Sequence, residues 1–418
     1  MSTQTLSSFG AAADQDRNSN VPSPGSAEYF RDPYSTYRAL REKAPLVLLR
    51  PNVMACTRYQ DCLTLLRDAR FSARRYMRAI EHYTEEQRRQ LATWIRVASH
   101  QVIFADPPDH TRLRSALAGA FSAEGIERLI PRITNLFIEI LDDVPPGVEF
   151  DFMSLIARRF PAFVIGELLG IPRDGWERLM RWCDAFMDFF ATVPAPFGLA
   201  LEAQQATIEL IEYVRPLVER RKSQPSTDLI SRLIETGQDA DRLTTEELLA
   251  QCALFLVAGH ETTRNLLGNS FHTLLRHPSA VTLLRQGSSS VRSAVEEVLR
   301  YQGPVQGISR MVATPLRVSD QTLEPGQTII ILVASANRDP VQFRDPDRFD
   351  IERKDNAHLT FGAGAHTCLG NYLARLEAKI AITIMLRRYQ DIELKDTEPM
   401  WTETLLARGP KRLNVVCA

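Results

Sequence analysis

Apolar positions recur along most of this chain at the three-to-four-residue spacing of helices, and only short stretches alternate as strands do. Residues 27 to about 43 carry the helical pattern. Residues 46–49 and 53–57 read as a hairpin turned at Pro51-Asn52, and 59–68 as a short helix. From 70 to 103 the signals mix: Arg74, Arg75, Tyr76, Met77 and Arg78 precede a charged helix-like run, which predicts a mobile loop region with one helical piece. Residues 123–222 predict four helices, and the apolar stretch 164–172 ends one of them at a glycine and a proline.

The longest predicted helix runs from 244 to about 277. Thr244-x-x-Glu247 forms a capping-box pattern at its start, and Pro278 stops it. At about 1.5 Å per residue it would be roughly 50 Å long, enough to cross the molecule. Midway lies Ala258-Gly259-His260-Glu261-Thr262-Thr263. Glycine and threonine are poor helix formers, and threonine hydroxyls compete for backbone carbonyls, so a local opening of the helix is expected there. Beyond it, residues 304–312 read as an extended strand whose single charge is Arg310. Strands follow at 316–318 and 328–333, and the last ones from about 392. The sum is a mainly α fold with a small β-rich region.

Composition narrows the class. Hydrophobic content of 44% and charged content of 24% in 418 residues are ordinary for a globular protein. A net charge of −1 gives no bulk electrostatic case for nucleic acid or an anionic membrane. No apolar run approaches the roughly 18 residues of a membrane span. The cysteines at 56, 62, 183, 252, 368 and 417 contain no C-x-x-C pair, which argues against a disulfide scaffold or zinc site and fits a reducing cytoplasm. Residues 1–25 are polar, lack the apolar core of a signal peptide and are expected to form a flexible leader, with 26–418 as one catalytic domain.

The chemistry concentrates in Phe361-Gly362-Ala363-Gly364-Ala365-His366-Thr367-Cys368-Leu369-Gly370, directly before a predicted helix. Glycines allow close backbone approach to a bulky object. A cysteine at a helix amino end meets free N–H groups and a positive dipole, which favour a thiolate. A lone cysteine is more often a small buried hydrophobe. Here the surroundings decide: Phe-Gly-x-Gly-x-His-x-Cys-x-Gly resembles the haem-binding loop of the cytochrome P450 family at every specified position.

That resemblance implies the cytochrome P450 fold, one haem b and an axial thiolate from Cys368, with Phe361, Gly362, Gly364 and Gly370 shaping the loop. In Asp106-Pro107-Pro108-Asp109-His110-Thr111-Arg112-Leu113-Arg114, His110 and Arg114 share one helical face. Alone they read as a solvated basic face; the resemblance implies that they hold haem carboxylates, together with Arg310 and His366. Ala258-Gly259-x-Glu261-Thr262 resembles the family's oxygen-activation motif, placing Ala258 and Gly259 at the haem, Thr262 at the dioxygen and Glu261 as proton relay. His260 is expected to be non-catalytic. Glu297-x-x-Arg300 resembles a buried structural pair, completed by Arg348.

For the substrate, Phe186, Phe190, Leu254, Val257, Val305 and Ile308 are the candidate pocket, although aromatic stripes also serve as core. Family members cover the substrate with the region that 70–103 occupies, and 193–197 resembles their lid. The reaction implied is monooxygenation of a hydrophobic small molecule by O2. Electrons are expected from a separate ferredoxin- or flavodoxin-type donor with its NAD(P)H reductase, docking near Arg112, Arg375 and Lys379. The expected state is a cytoplasmic monomer without membrane anchor or nucleic-acid partner. The alternatives are a peroxide-driven enzyme, against which the Glu261/Thr262 pair argues, and a non-enzymatic haem-thiolate sensor.

Overall fold

A computed structural model describes residues 22–192, 194–235, 242–319 and 321–418. Most of the expected leader, residues 1–21, therefore lies outside the described residues, as does Val193 of the expected lid. Around one long helix, Thr245–Leu275, the other elements pack on nearly every side. Most of its side chains are buried, polar ones such as Gln251, Asn265 and Asn269 among them. The capping box forms as the sequence requires: Thr244 Oγ1 accepts from Glu247 N at 3.2 Å, and Glu247 Oε2 accepts from Thr244 N at 2.8 Å. The expected opening at 258–263 does not occur. Thr262 Oγ1 does donate to the Ala258 carbonyl at 2.6 Å, but the helix stays continuous through this stretch.

Helices Arg159–Leu168, Trp176–Ala191, Phe197–Ser223 and Asn371–Arg388 all contact the central helix. The 123–222 stretch holds the four expected long helices, counting Ile130–Leu141, plus the short Ala123–Glu127 and a π-helical turn, Met153–Ala157. Gly170, at φ 66°, ends the apolar Arg159–Leu168 helix in the left-handed conformation.

The strands are β1 Leu46–Arg50, β2 Val53–Cys56, β3 Phe71–Ser72, β4 Phe150–Asp151, β5 Ile308–Val312, β6 Leu316–Val318, β7 Gln321–Leu323, β8 Thr328–Ile331, β9 Ile392–Leu394 and β10 Asn414–Cys417. The main sheet has the order β1-β2-β8-β5-β3, antiparallel except for the β2–β8 pair. The β1–β2 hairpin turns at Asn52, whose φ is 62°. β8 stops at Ile331 rather than 333, because residues 333–336 coil into a helical turn.

The 70–103 region is not the loop that its mixed signals predict. It forms β3, the helices Tyr76–Ile80, Glu85–Gln90 and Ala92–Ser99, and a 3-10 turn at Val102–Phe104. Ile80, Tyr83, Leu91 and Trp94 are buried. Tyr83 Oη donates to the Ala195 carbonyl at 2.7 Å, Gln204 Oε1 accepts from Trp94 N at 2.7 Å, and the Trp94 ring meets Phe189 edge-on at 5.1 Å. Partners more than 90 residues away order this segment, and no local pattern reveals them. No described helix is long and apolar enough to cross a membrane.

Candidate active site

Two glycines set the path of the cysteine loop. Gly362 and Gly364 sit at φ 70° and 75°, where other residues are strained. At Gly364 an added Cβ would also lie 2.9 Å from the Leu66 carbonyl oxygen, so the loop can rest on helix Tyr59–Arg67 only as glycine. Gly364–His366 makes a 3-10 turn, and Cys368 N donates back to the Phe361 carbonyl at 2.9 Å. Gly370, at an ordinary φ of −84°, immediately precedes helix Asn371–Arg388. Burial pushes the Cys368 thiol up; against this, a backbone hydrogen bond from Gly370 and the charges of Arg114 and Arg375 favour the thiolate.

A brace behind the loop was not legible beforehand. Arg375 lies 4.3 Å over the Phe361 ring and donates Nε and Nη2 to Glu296 at 2.6 and 3.1 Å. Its Nη1 donates to Asn371 Oδ1 at 2.9 Å, and Asn371 Nδ2 donates to the Cys368 carbonyl at 2.7 Å. His358 Nε2 stands 3.0 Å from Glu296. Burial raises the Glu296 carboxyl, but the hydrogen bonds from His358 and Arg375 and the Arg375 charge outweigh it and hold it at about 2.

Glu297 and Arg300 form the expected buried pair, at 2.8 and 2.7 Å. The expected third member is wrong: the Arg348 side chain is exposed, and only its carbonyl takes part, accepting from Arg300 at 3.0 Å. Arg353 takes its place, donating Nε to Glu297 at 3.3 Å, with Asn356 Nδ2 at 3.1 Å and the Asp350 N–H at 2.9 Å completing the carboxylate's shell. The chain carries a left-handed residue, Asp345 at φ 46°, just before this segment.

Cationic groups gather on the other side of the loop. His110 is buried, its ring 4.0 Å from that of His366, and its Nε2 has no protein partner. Burial, then the charge of Arg114, lowers its pKa. His366 falls to about 3 through burial and then the charges of Arg310, His110, Arg75 and Arg114. Arg310 is buried and pulled down to about 10 by desolvation, with Asp106 opposing. Among the described residues neither Arg114 nor Arg310 has an acidic side chain in hydrogen-bond or ion-pair contact, and Asp106 is held by Ser72 Oγ at 2.5 Å and Ala73 N at 2.7 Å. Unneutralised cations and an orphaned imidazole nitrogen beside a cysteine loop fit a flat cofactor bearing carboxylates. The donor set suits haem.

On the central helix, Ala258 and Thr262 are exposed and Val257 partly so, bordering a recess in an otherwise buried element. Gly259 does not face it. An added Cβ there would meet Ile165 Cδ1 at 2.7 Å, so its smallness serves the approach of helix Arg159–Leu168 rather than cofactor room. Glu261 is buried and receives Arg264 Nη1 and Asn265 Nδ2, each at 3.1 Å. Burial raises its pKa more than Arg264 lowers it. Glu261 and Thr262, consecutive on the helix, point apart. His260 Nε2 lies 2.8 Å from the Arg158 carbonyl, and burial holds it at about 4, neutral near pH 7.

The pocket candidates fall into two groups. Phe186, Phe190, Leu254 and Val257 belong to the helical core, while Val305 and Ile308 pack on the sheet side with Ala363 of the loop. The expected docking charges are largely spent, Arg112 on Glu247 and Arg375 on Glu296; Lys379 is exposed.

Residues 73–416 match the family model "Cytochrome P450". The chain is 35% identical to the biotin biosynthesis cytochrome P450 of Bacillus subtilis, over 90% of this chain and 94% of that one. It is 36% identical to the cytochrome P450 monooxygenase PikC of Streptomyces venezuelae, over 93% and 92%. Among solved structures, P450BioI in complex with acyl carrier protein ligated to hexadec-9Z-enoic acid superposes with a TM-score of 0.86 at 32% identity, covering 94% of this chain and 99% of that one.

Proposed function

The chain belongs to the cytochrome P450 family of haem-thiolate oxidoreductases, and we propose that it places one oxygen atom of O2 on a hydrophobic small molecule, by hydroxylation or epoxidation. Cys368 in its glycine loop carries this reading. The haem, when bound, supplies O–O cleavage and oxygen insertion, favoured by electron donation from the thiolate.

The chain's own residues do the rest. Cys368 would ligate the haem iron, in a loop braced through Asn371, Arg375 and Phe361. His110, Arg114, Arg310 and His366 would bind the haem carboxylates, each through a charge-assisted bond. Ala258, small and exposed on the central helix, would leave room beside a bound haem. The Thr262 hydroxyl, now on the Ala258 carbonyl, turns to hold a proton at the reacting face. Glu261, whose pKa burial raises, supplies the next proton on leaving Arg264 and Asn265. Phe186, Phe190, Leu254, Val257, Val305 and Ile308 exclude water and orient an apolar substrate.

Two electrons arrive from a ferredoxin- or flavodoxin-type donor served by an NAD(P)H reductase. The P450BioI complex supports including carrier-tethered acyl chains among trial substrates. The test has two parts. Reduced protein under carbon monoxide should show the red-shifted band of thiolate ligation, and Cys368→Ser should abolish it. Screening compounds for the substrate-induced spin-state change, then comparing a surrogate ferredoxin system with peroxide alone, should give product with the former. Fast, durable turnover on peroxide alone would reverse the assignment of Thr262.

A further inference from the structure

We propose that Arg75, from the segment that covers the site, binds a haem carboxylate alongside Arg310 and His366. The inference rests on the reading of this site as a haem site. In the β3–β5 pair Phe71 lies opposite Val312 and Ser72 opposite Met311, so the chain leaves β3 beside the strand that carries Arg310. The Arg75 side chain then folds back: its Nη1 donates to the Ile103 carbonyl at 3.2 Å and approaches that of Ala73 at 3.5 Å. Its guanidinium carbon sits 4.9 Å from the centre of the Phe104 ring. These contacts hold the guanidinium where the Arg310 charge acts on it.

Two like charges held close together repel; Asp106 opposes the effect on Arg310, whereas no acidic group is among the charges acting on Arg75. Among the described residues no carboxylate touches Arg75, and its Nε and Nη2 have no protein acceptor. Burial, then the neighbouring Arg310, pulls Arg75 down to about 9, and Arg75 in turn depresses His366. An unengaged guanidinium edge is the fork that takes a carboxylate through two parallel bonds. Ala73, two residues earlier, is tied to Asp106, which stands just before the His110 helix. Cofactor and covering segment would therefore be coupled through Arg75.

The experiment measures transfer of ferric haem to excess apomyoglobin from the wild-type holoenzyme and from Arg75→Gln and Arg75→Lys. Each protein is also reconstituted with haem dimethyl ester, which lacks the carboxylate charges. With haem, Arg75→Gln should lose the cofactor about tenfold to a hundredfold faster, the loss of a charge-assisted bond, and Arg75→Lys less than that. With the ester the difference should shrink to about twofold or less, because no charge remains to pair. Equal loss rates for Arg75→Gln and wild type would overturn the proposal. So would an undiminished difference with the ester, which would assign Arg75 to holding Ile103 alone. A wild-type protein without haem would instead sink the reading of the site itself.

Discussion

Replacing Arg353 by alanine tests which arginine completes the buried pair. Arg353 donates to Glu297 at 3.3 Å and to the carbonyls of Arg344, Asp345 and Arg348 at 2.7, 3.1 and 3.3 Å. The carbonyls lie near the surface and can regain water, so the buried charge-assisted bond dominates, at about 1.5–3 kcal/mol. Glu297 keeps Arg300, Asn356 and the Asp350 N–H and is not stranded. Glu297→Ala is worse, because the Arg300 side chain, 0% exposed, would lose its counter-charge, a loss of about 3–5 kcal/mol. Arg348→Ala removes only an exposed side chain and leaves the carbonyl that Arg300 uses, so about 0.5 kcal/mol or less is expected. At roughly 2.1 cal/mol/K of unfolding entropy per residue, a chain of 418 residues shifts its midpoint by about 1 °C per kcal/mol. Calorimetry of the three holoenzymes should then give losses of about 2–3, 3–5 and under 1 °C. An Arg348→Ala midpoint as low as that of Arg353→Ala would refute the assignment.

Three further outcomes follow from the site. Glu296, held at about 2 against an ordinary 4.5, stabilises the fold above about pH 4.5 and loses that contribution as pH falls toward 2. Glu296→Gln should cost up to about 3 kcal/mol at pH 7 and much less near pH 3, and a denaturation deficit equal at both would contradict the brace. Gly364→Ala combines a left-handed φ with a clash on backbone, whereas Gly362→Ala has the same φ and a nearest contact of 3.4 Å to Ile308. The former should therefore lose much more of its thiolate carbon monoxide band, and the reverse order would show that loop placement on helix Tyr59–Arg67 is unimportant. Thr262→Ala should keep its thermal midpoint and still consume reductant, while product per electron pair falls by roughly an order of magnitude and peroxide rises. Unchanged coupling would remove Thr262 from proton delivery.

What the sequence determined by itself was whatever its neighbours along the chain suffice to specify. The glycines, histidine and cysteine of 361–370 lie within one turn-and-helix start, so their chemistry reads directly from order and spacing. Thr244 and Glu247 cap their helix through bonds across three residues, and Glu297 and Arg300 pair across one turn. Tertiary structure decided the rest. Arg348 and Arg353 are equally basic and nearly adjacent, and only the folded path of the chain decides that the side chain of Arg353, and just the carbonyl of Arg348, joins the Glu297–Arg300 pair. Arg112 and Arg375 look like free charge until Glu247 and Glu296 are brought against them. Residues 70–103 carry no clear period because their order comes from Ala195, Gln204 and Phe189, far along the chain. Hydrogen bonds within a turn are written in local spacing, whereas a charge's partner and a segment's rigidity depend on distances that exist only once the chain has closed on itself.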